Sequence, residues 1–258
     1  MRAPLAFSAV FVFFLLLDQL LVRHVAPPKA RYFCLHVVFN SWIIYTCLSN
    51  ALDALLNPTQ AMLGDNASTP SENYYTFTYL QGAGFTDSQV ISTAGIAAFH
   101  LYHALFFDGI AKEDWIHHIV SCGIVPAIGI NVPFAKVVDV CNVGMCGIPG
   151  GIDYFLLALQ RCGPNFSFCA PTKLVQKRVS ALNNLLLRWP LMLLATYMYV
   201  LGWSNGTLAT ASTVGAHSLV RWLGGLGCFL HTGNAAYYAH KVIGNYHVVK
   251  AAATEKVE

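Results

Sequence analysis

The chain has 258 residues, of which 56% are hydrophobic and only 10% are charged. Soluble domains carry roughly 25% charged residues, so this composition, with a mean hydropathy of +0.53, predicts an all-α, polytopic membrane protein. Since a membrane-spanning helix needs roughly 20 residues, the length fits about seven spans. The formal net charge of +3 is too small and too scattered to favour nucleic-acid binding.

Apolar stretches separated by polar loops predict the seven spans. They cover residues 4–22, 32–56, 88–107, 115–131, 133–160, 179–201 and 212–241. The run Pro149-Gly150-Gly151 lies inside the fifth span and predicts a kink or a break, because proline removes a backbone donor and glycine adds freedom. Residues 246–258 are predicted to form a polar tail.

The first apolar stretch has two interpretations. Arg2 precedes it, which is also typical of a cleaved signal peptide. No small-x-small cleavage site follows closely, and Asp18-Gln19 interrupts its end, so we expect a retained helix. The eight cysteines form no CxxC pair, and we expect them to act as small buried hydrophobic residues.

Lysine and arginine lie mainly on one predicted side of the membrane. Only Arg2 and Lys136 fall on the opposite side. Because basic loops stay cytosolic, the N-terminus is predicted to be lumenal and the C-terminus cytosolic. The sequons at Asn66 and Asn205 then lie on the lumenal side and are candidate glycosylation sites. The basic residues of the predicted cytosolic side are Arg23, Lys29, Arg31, Lys112, Arg161, Lys173, Lys177, Arg178, Lys241, Lys250 and Lys256.

Polar side chains of five spans fall at similar depth, roughly 5–14 Å inside the cytosolic boundary at 1.5 Å per residue. Polar groups in lipid are expensive unless they face one another or a wet cavity, so we expect a shared pocket. Helix–helix hydrogen bonding is the other interpretation of each group. The layer contains His36, Asn40, His100, His103, His117, His118, Asp153, Asn183, Asn184 and Arg188.

A metal centre is not predicted. One HxxH spacing at His100 and His103 and one His-His pair at His117 and His118 are fewer than the several histidine boxes that membrane di-iron oxygenases carry. A retinal protein needs a lysine deep in its last span, whereas Lys241 is at the end of that span.

The stretch Tyr102-His103, Asp108 and Asp114-Trp115-Ile116-His117-His118, followed by an apolar run and Asp153, resembles the TLC family. This family includes ceramide synthases and small TLC-domain proteins, and the latter are closest in length. The similarity covers about residues 30–245. It implies a six-helix barrel at 29–245, an added N-terminal helix and linker at 1–28, a tail at 246–258, the endoplasmic reticulum membrane and a role in lipid homeostasis.

The resemblance also implies site residues. Ceramide synthases transfer an acyl group from acyl-CoA at paired histidines, which correspond by position to His117 and His118; of their later HDxxD pattern only Asp153 is present here. Our leading expectation is a protein that binds a lipid acyl chain in the barrel. The alternatives are an acyl-CoA-dependent N-acyltransferase with catalytic His117, His118 and Asp153, and a non-catalytic lipid sensor, trafficking factor or structural subunit.

The expected partners are membrane lipids, with acyl-CoA as a candidate substrate and no cofactor. The side chains expected to contact the substrate are the remaining members of the polar layer on spans two, three and six. They are His36, Asn40, His100, His103, Asn184 and Arg188.

Overall fold

The computed structural model describes residues 2–61, 86–108, 115, 118–132, 134–162, 171–204 and 217–255. This part of the chain is helical and contains no β-strand. Its helices, labelled in chain order and including π-helical turns, are α1 (Arg2–Leu17, π turn Asp18–Val22, Arg23–Val25), α2 (Pro28–Leu56), α3 (Asp87–Phe106), α4 (π turn His118–Ile124, Val125–Asn131), α5 (Lys136–Asn142, π turn Val143–Gly147, Ile148–Arg161), α6 (Lys173–Asn183, π turn Asn184–Arg188, Trp189–Ser204) and α7 (His217–Thr254).

The predicted all-helical membrane protein is confirmed at a coarse level. Within the described residues, four helices are long and apolar enough to span a membrane: Ala3–Val25, Pro28–Leu56, Lys136–Arg161 and Lys173–Ser204. The other predicted spans correspond to α3, α4 and α7, and the count of seven remains a prediction.

The last helix is longer than the sequence predicts. Helix α7 has 38 residues and ends at Thr254, so residues 246–254 continue the helix instead of forming an irregular tail. At 1.5 Å per residue it is ~57 Å long, which exceeds the ~30 Å hydrocarbon core of a bilayer.

Three of the π-helical turns directly precede an internal proline. Pro126, Pro149 and Pro190 are each the second residue after such a turn. Proline lacks an N–H and its ring crowds the carbonyl one turn earlier, and a wider turn relieves that conflict. The break predicted at Pro149-Gly150-Gly151 is therefore a widened turn, and α5 continues through it.

Helix α1 packs into the bundle formed by α2 and α3. The Phe14 ring is 1% exposed and lies 4.5 Å from the Phe99 ring and 5.9 Å from the Phe39 ring, between centroids. One turn later, Asp18 accepts a hydrogen bond of 2.6 Å from Arg31 Nε. The first helix is thus joined to α2 and α3 by both an aromatic cluster and an ion pair.

A second polar cluster lies at the opposite end of the bundle from the predicted cytosolic layer. Asp139 of α5 is fully buried and accepts hydrogen bonds from Ser88 at 2.7 Å and Asn50 at 3.2 Å. Lys136 pairs with Asp53 at 2.5 Å. These bonds tie α5 to α2 and α3, so the polar side chains of α5 do not all face one pocket.

Helices α5 and α6 approach closely at Gly144. A Cβ atom there would lie 2.8 Å from both Leu191 Cβ and Met192 Cε, closer than side-chain contacts normally allow. Small residues at such positions let membrane helices pack backbone to backbone. Glycine is therefore required at this crossing.

We expect Gly144→Ala to lower the free energy of unfolding by ~1–3 kcal/mol, the usual cost of overpacking a core. The measurement is SDS-titrated unfolding of the purified chain followed by circular dichroism. Gly225→Ala on α7 is the control, because nothing lies within 4 Å of the added Cβ. Equal stability of the two variants would contradict the close crossing.

Candidate functional site

A polar cavity lies where the predicted layer was expected. We call it the polar chamber; its volume is about 130 Å³, close to the ~150 Å³ of an engineered cavity that binds benzene. Its lining includes His36 and Asn40 of α2, His118 of α4, Arg188 of α6 and Asn234 of α7. Gly150 and Tyr154 of α5 and His100 of α3 also line it, so six helices contribute to its wall.

A second cavity, the apolar chamber, adjoins it along the bundle. Its volume is about 70 Å³. Its lining includes Val125 and Ile128 of α4, Phe134 just before α5, Val137 of α5, and Cys228 of α7. The two chambers meet at residues that line both. These are His100, Met145, Cys146 and Asn234.

The chambers lie one after the other along the helix axes. On α4, His118 lines the polar chamber and Ile128 the apolar one; on α7, Tyr238 lines the polar chamber and Gly227 the apolar one. In both helices the polar-chamber residue is nearer to the end that the basic loops assign to the cytosol. A ligand that fills both chambers would therefore lie parallel to the helices.

π-helical turns form part of the wall. The turn in α5 contains Met145 and Cys146, which line both chambers. The turn in α6 ends at Arg188, and the described part of α4 begins its turn at His118. Such turns are rare and occur often at functional sites, which singles out this region of the bundle.

The structure brings together most, but not all, of the predicted contact residues. His36, Asn40, His100, His118 and Arg188 line the polar chamber. Those that do not line it are His103, Asp153 and Asn184. His117 and the sequons at Asn66 and Asn205 lie outside the described residues, so the predictions made for them stay predictions.

His103 is packed as an aromatic ring beneath the chamber. It is fully buried, and its ring lies 4.4 Å from the His36 ring, 4.9 Å from the Tyr32 ring and 4.0 Å from the Phe99 ring. Neither ring nitrogen meets a hydrogen-bond partner among the described residues. His103 thus packs against His36 and does not line the polar chamber, and its predicted contact with a substrate stays a prediction.

Asp153 and Asn184 act on the guanidinium of Arg188. Asn184 Oδ1 accepts a hydrogen bond from Arg188 Nη1 at 2.7 Å, and Asp153 Oδ2 lies 3.8 Å from Arg188 Nη2. Asn183 Nδ2 in turn donates to Asp153 at 3.2 Å and to the carbonyl oxygen of Pro149 at 2.7 Å. These contacts position the arginine, and the predicted catalytic role of Asp153 stays a prediction.

Two histidines have a defined tautomer. His36 Nδ1 donates to the carbonyl oxygen of Tyr32 at 2.9 Å, and His100 Nδ1 donates to that of Ile96 at 2.7 Å. Each bond places the ring proton on Nδ1 and makes Nε2 the basic nitrogen. His118 lies 5.3 Å from His100 between ring centroids, with the rings in an edge-to-face arrangement. Two imidazole rings are therefore in contact within the polar chamber.

Four polar residues that line the polar chamber were missed by the sequence reasoning: Tyr32, Tyr154, Asn234 and Tyr238. Part of the signal was present, because His231, Asn234 and Tyr238 are spaced three and four residues apart on α7 and so share one face. Tyrosines in a membrane span are as readily explained by aromatic packing, so nothing marked Tyr32 or Tyr154.

Within the described ranges, no group of three or more His, Cys, Asp or Glu side chains is arranged to hold a metal ion. Comparisons with protein-family models, with curated proteins and with solved structures give no significant match to this chain. The two chambers and the residues that line them are therefore the features of this chain that indicate a function.

Proposed function

We propose that this membrane protein binds a single-chain lipid, or one chain of a larger lipid, inside its helical bundle. The observation that supports lipid binding is that an apolar chamber meets a polar one at His100, Met145, Cys146 and Asn234. Ligand sites are typically apolar cavities with a few convergent polar groups. The chain would occupy the apolar chamber and the head would meet the polar lining.

Three further elements belong to this proposal. The resemblance of residues 102–118 and Asp153 to the TLC family supports a six-helix barrel at 29–245 and a role in membrane lipid homeostasis. The same resemblance and the sequons support the endoplasmic reticulum. The distribution of Lys and Arg supports a lumenal N-terminus and a cytosolic C-terminus, with the polar chamber at the cytosolic end.

Native mass spectrometry of the purified full-length chain tests the binding proposal. We expect one lipid adduct per chain that survives mild detergent removal and is released chemically unaltered. Carriage or sensing gives that result, because neither consumes the ligand. Protein ions without any retained lipid, from preparations that remain folded by circular dichroism, would contradict the proposal.

A second candidate function is acyl transfer from acyl-CoA, and one observation favours it: His118 lies in the polar chamber beside His100. In that reaction an imidazole nitrogen takes the proton of an amine as the amine attacks the thioester carbonyl. The carbon–sulfur bond then breaks, and CoA leaves as the thiol after protonation. Arg188 lies in the same chamber, where it would contact anionic parts of the substrate.

The acyl-transfer candidate predicts CoA release from acyl-CoA and a long-chain amine, reduced ~10²–10⁴-fold by His118→Ala, the usual contribution of a general base. His117→Ala is measured in parallel because the family resemblance includes both histidines. His247→Ala is the control, since His247 is exposed near the end of α7. Equal rates in wild type, His117→Ala and His118→Ala would eliminate the candidate.

A further inference from the structure

Three residues that line the polar chamber have a buried amide or guanidinium nitrogen that meets no hydrogen-bond acceptor among the described residues. The nitrogen atoms are Asn40 Nδ2, Arg188 Nε and Asn234 Nδ2. They come from three different helices, α2, α6 and α7. All three are donors, so what they require from a ligand is a set of acceptor atoms.

Arg188 provides a positive charge in the lining of the polar chamber. Its side chain is only 11% exposed, and its one described hydrogen bond goes from Nη1 to Asn184. The Asp153 carboxylate is 3.8 Å away from Nη2, beyond hydrogen-bond reach. The Nε–Nη2 edge is the part of a guanidinium that binds a carboxylate or phosphate through two parallel bonds. Arg188 lines the chamber, and its buried Nε has no acceptor among the described residues.

The neighbouring imidazoles are compatible with an anion. His36 and His100 each donate through Nδ1 to a backbone carbonyl oxygen. An imidazole that takes up a proton on its second nitrogen becomes a donor on both sides. Neither ring brings a negative charge to the chamber, so both are compatible with an anion bound at Arg188.

The hydrocarbon chain alone gives little selectivity. Lipid tails are about as apolar as the side chains of a bundle interior, so moving a chain from the bilayer into the apolar chamber changes its environment only slightly. Discrimination between lipids must then come mainly from the head and from the polar chamber.

We infer that the polar chamber recognises an anionic head, a carboxylate or a phosphate monoester, through Arg188, Asn40 and Asn234. This inference rests on the proposed function, because it specifies the ligand of the same site. Arg188 forms the charged contact and Asp153 is its positioning residue. Arg161 ends α5 and Lys173 begins α6, and basic residues at the predicted cytosolic side favour the local accumulation of anionic lipids.

The test measures retention of radiolabelled 16-carbon probes by the full-length chain in phosphatidylcholine nanodiscs, with empty nanodiscs subtracted. The probes share one chain and differ in the head: palmitic acid, hexadecyl phosphate, hexadecanol and hexadecyltrimethylammonium. Inorganic phosphate is added as a competitor to separate recognition of a lipid head from recognition of a free anion. We expect the two anionic probes to bind at least ~10-fold more tightly than the alcohol, the scale of a charge-assisted hydrogen bond.

The variants test whether Arg188 is the source of the preference for anionic probes. Arg188→Gln is expected to remove the preference for the anionic probes and to leave binding of hexadecanol. Since an unpaired Asp153 could destabilise that variant, Asp153→Asn combined with Arg188→Gln removes both charges and is expected to give the same loss. Arg178→Gln is the matched control, because Arg178 is exposed on the same helix and the change in charge is identical.

The outcomes separate the inference from the proposal on which it rests. Equal retention of all four probes, or an anion preference that persists in the double variant, overturns the anionic head while chain binding stands. Retention of no probe, hexadecanol included, overturns the proposed function itself. Competition by inorganic phosphate at the affinity of hexadecyl phosphate would overturn the assignment of the anion to a lipid.

Discussion

Replacing Asp18 by asparagine is expected to lower the free energy of unfolding by ~3–5 kcal/mol, the usual result of removing one partner of a buried ion pair. Asp18 is fully buried within α1. Both its oxygens accept from Arg31, through Nε at 2.6 Å and through Nη2, and Oδ2 also accepts from the Tyr102 hydroxyl. Asparagine keeps the shape, but it leaves the Arg31 charge without a counterion between α1, α2 and α3.

The measurement is SDS-titrated unfolding of the purified chain. Asp53→Asn provides the matched control, because the Asp53 side chain is 45% exposed whereas that of Asp18 is fully buried, and exposed pairs add little stability. The combination of Asp18→Asn with Arg31→Gln should recover part of the loss, since it leaves no unpaired charge. A loss no greater for Asp18→Asn than for Asp53→Asn would show that α1 does not depend on this pair.

The helices were largely predictable because their signal is local. Hydropathy over about 20 residues located the α2 span at 32–56, and the observed start at Pro28 differs only because proline fits the first turn of a helix. The widened turns in α4, α5 and α6 were only partly predictable. Proline indicates that the preceding helical turn is irregular. Whether the helix breaks, kinks or forms a wider turn there depends on the neighbouring helices.

The depth of the site residues in the membrane was predictable, but the direction in which each side chain points was not. Rise per residue placed His36, Asn40, His100 and Arg188 at one level, and all four line the polar chamber. The same reasoning placed His103 there, yet its face of α3 meets aromatic rings of α2. Rotation of each helix about its own axis is fixed by tertiary packing, which a single sequence does not specify.

The same limit explains Asp153. Its depth matches the histidines, but its position on α5 faces α6, where Asn183 and Arg188 provide its contacts. Pairing between particular helices is not encoded in hydropathy or in spacing along one helix. The sequence therefore predicted a polar layer and its composition, and the structure supplied which members contact one another.

Filling the apolar chamber should weaken binding of a long chain while the protein stays folded. Gly227 of α7 lines that chamber, and a Cβ there would lie 3.5 Å from Ile128 Cγ2 and Phe134 Cζ, an ordinary contact distance. Gly227→Ala should therefore be tolerated. Gly227→Leu directs a larger side chain into a cavity of about 70 Å³, and the ligand and the new side chain then compete for the same volume.

We expect Gly227→Leu to weaken retention of hexadecanol and palmitic acid ~5- to 150-fold, which corresponds to the ~1–3 kcal/mol cost of forcing extra volume into a packed interior. A probe with a much shorter chain and the same head should be affected less, because it occupies mainly the polar chamber. Gly225→Leu places the same side chain on the same helix where nothing lies within 4 Å, and should leave retention unchanged. If Gly227→Leu retains the long probes as wild type does, the chain does not lie in this chamber, and the order of head and tail along the bundle is wrong.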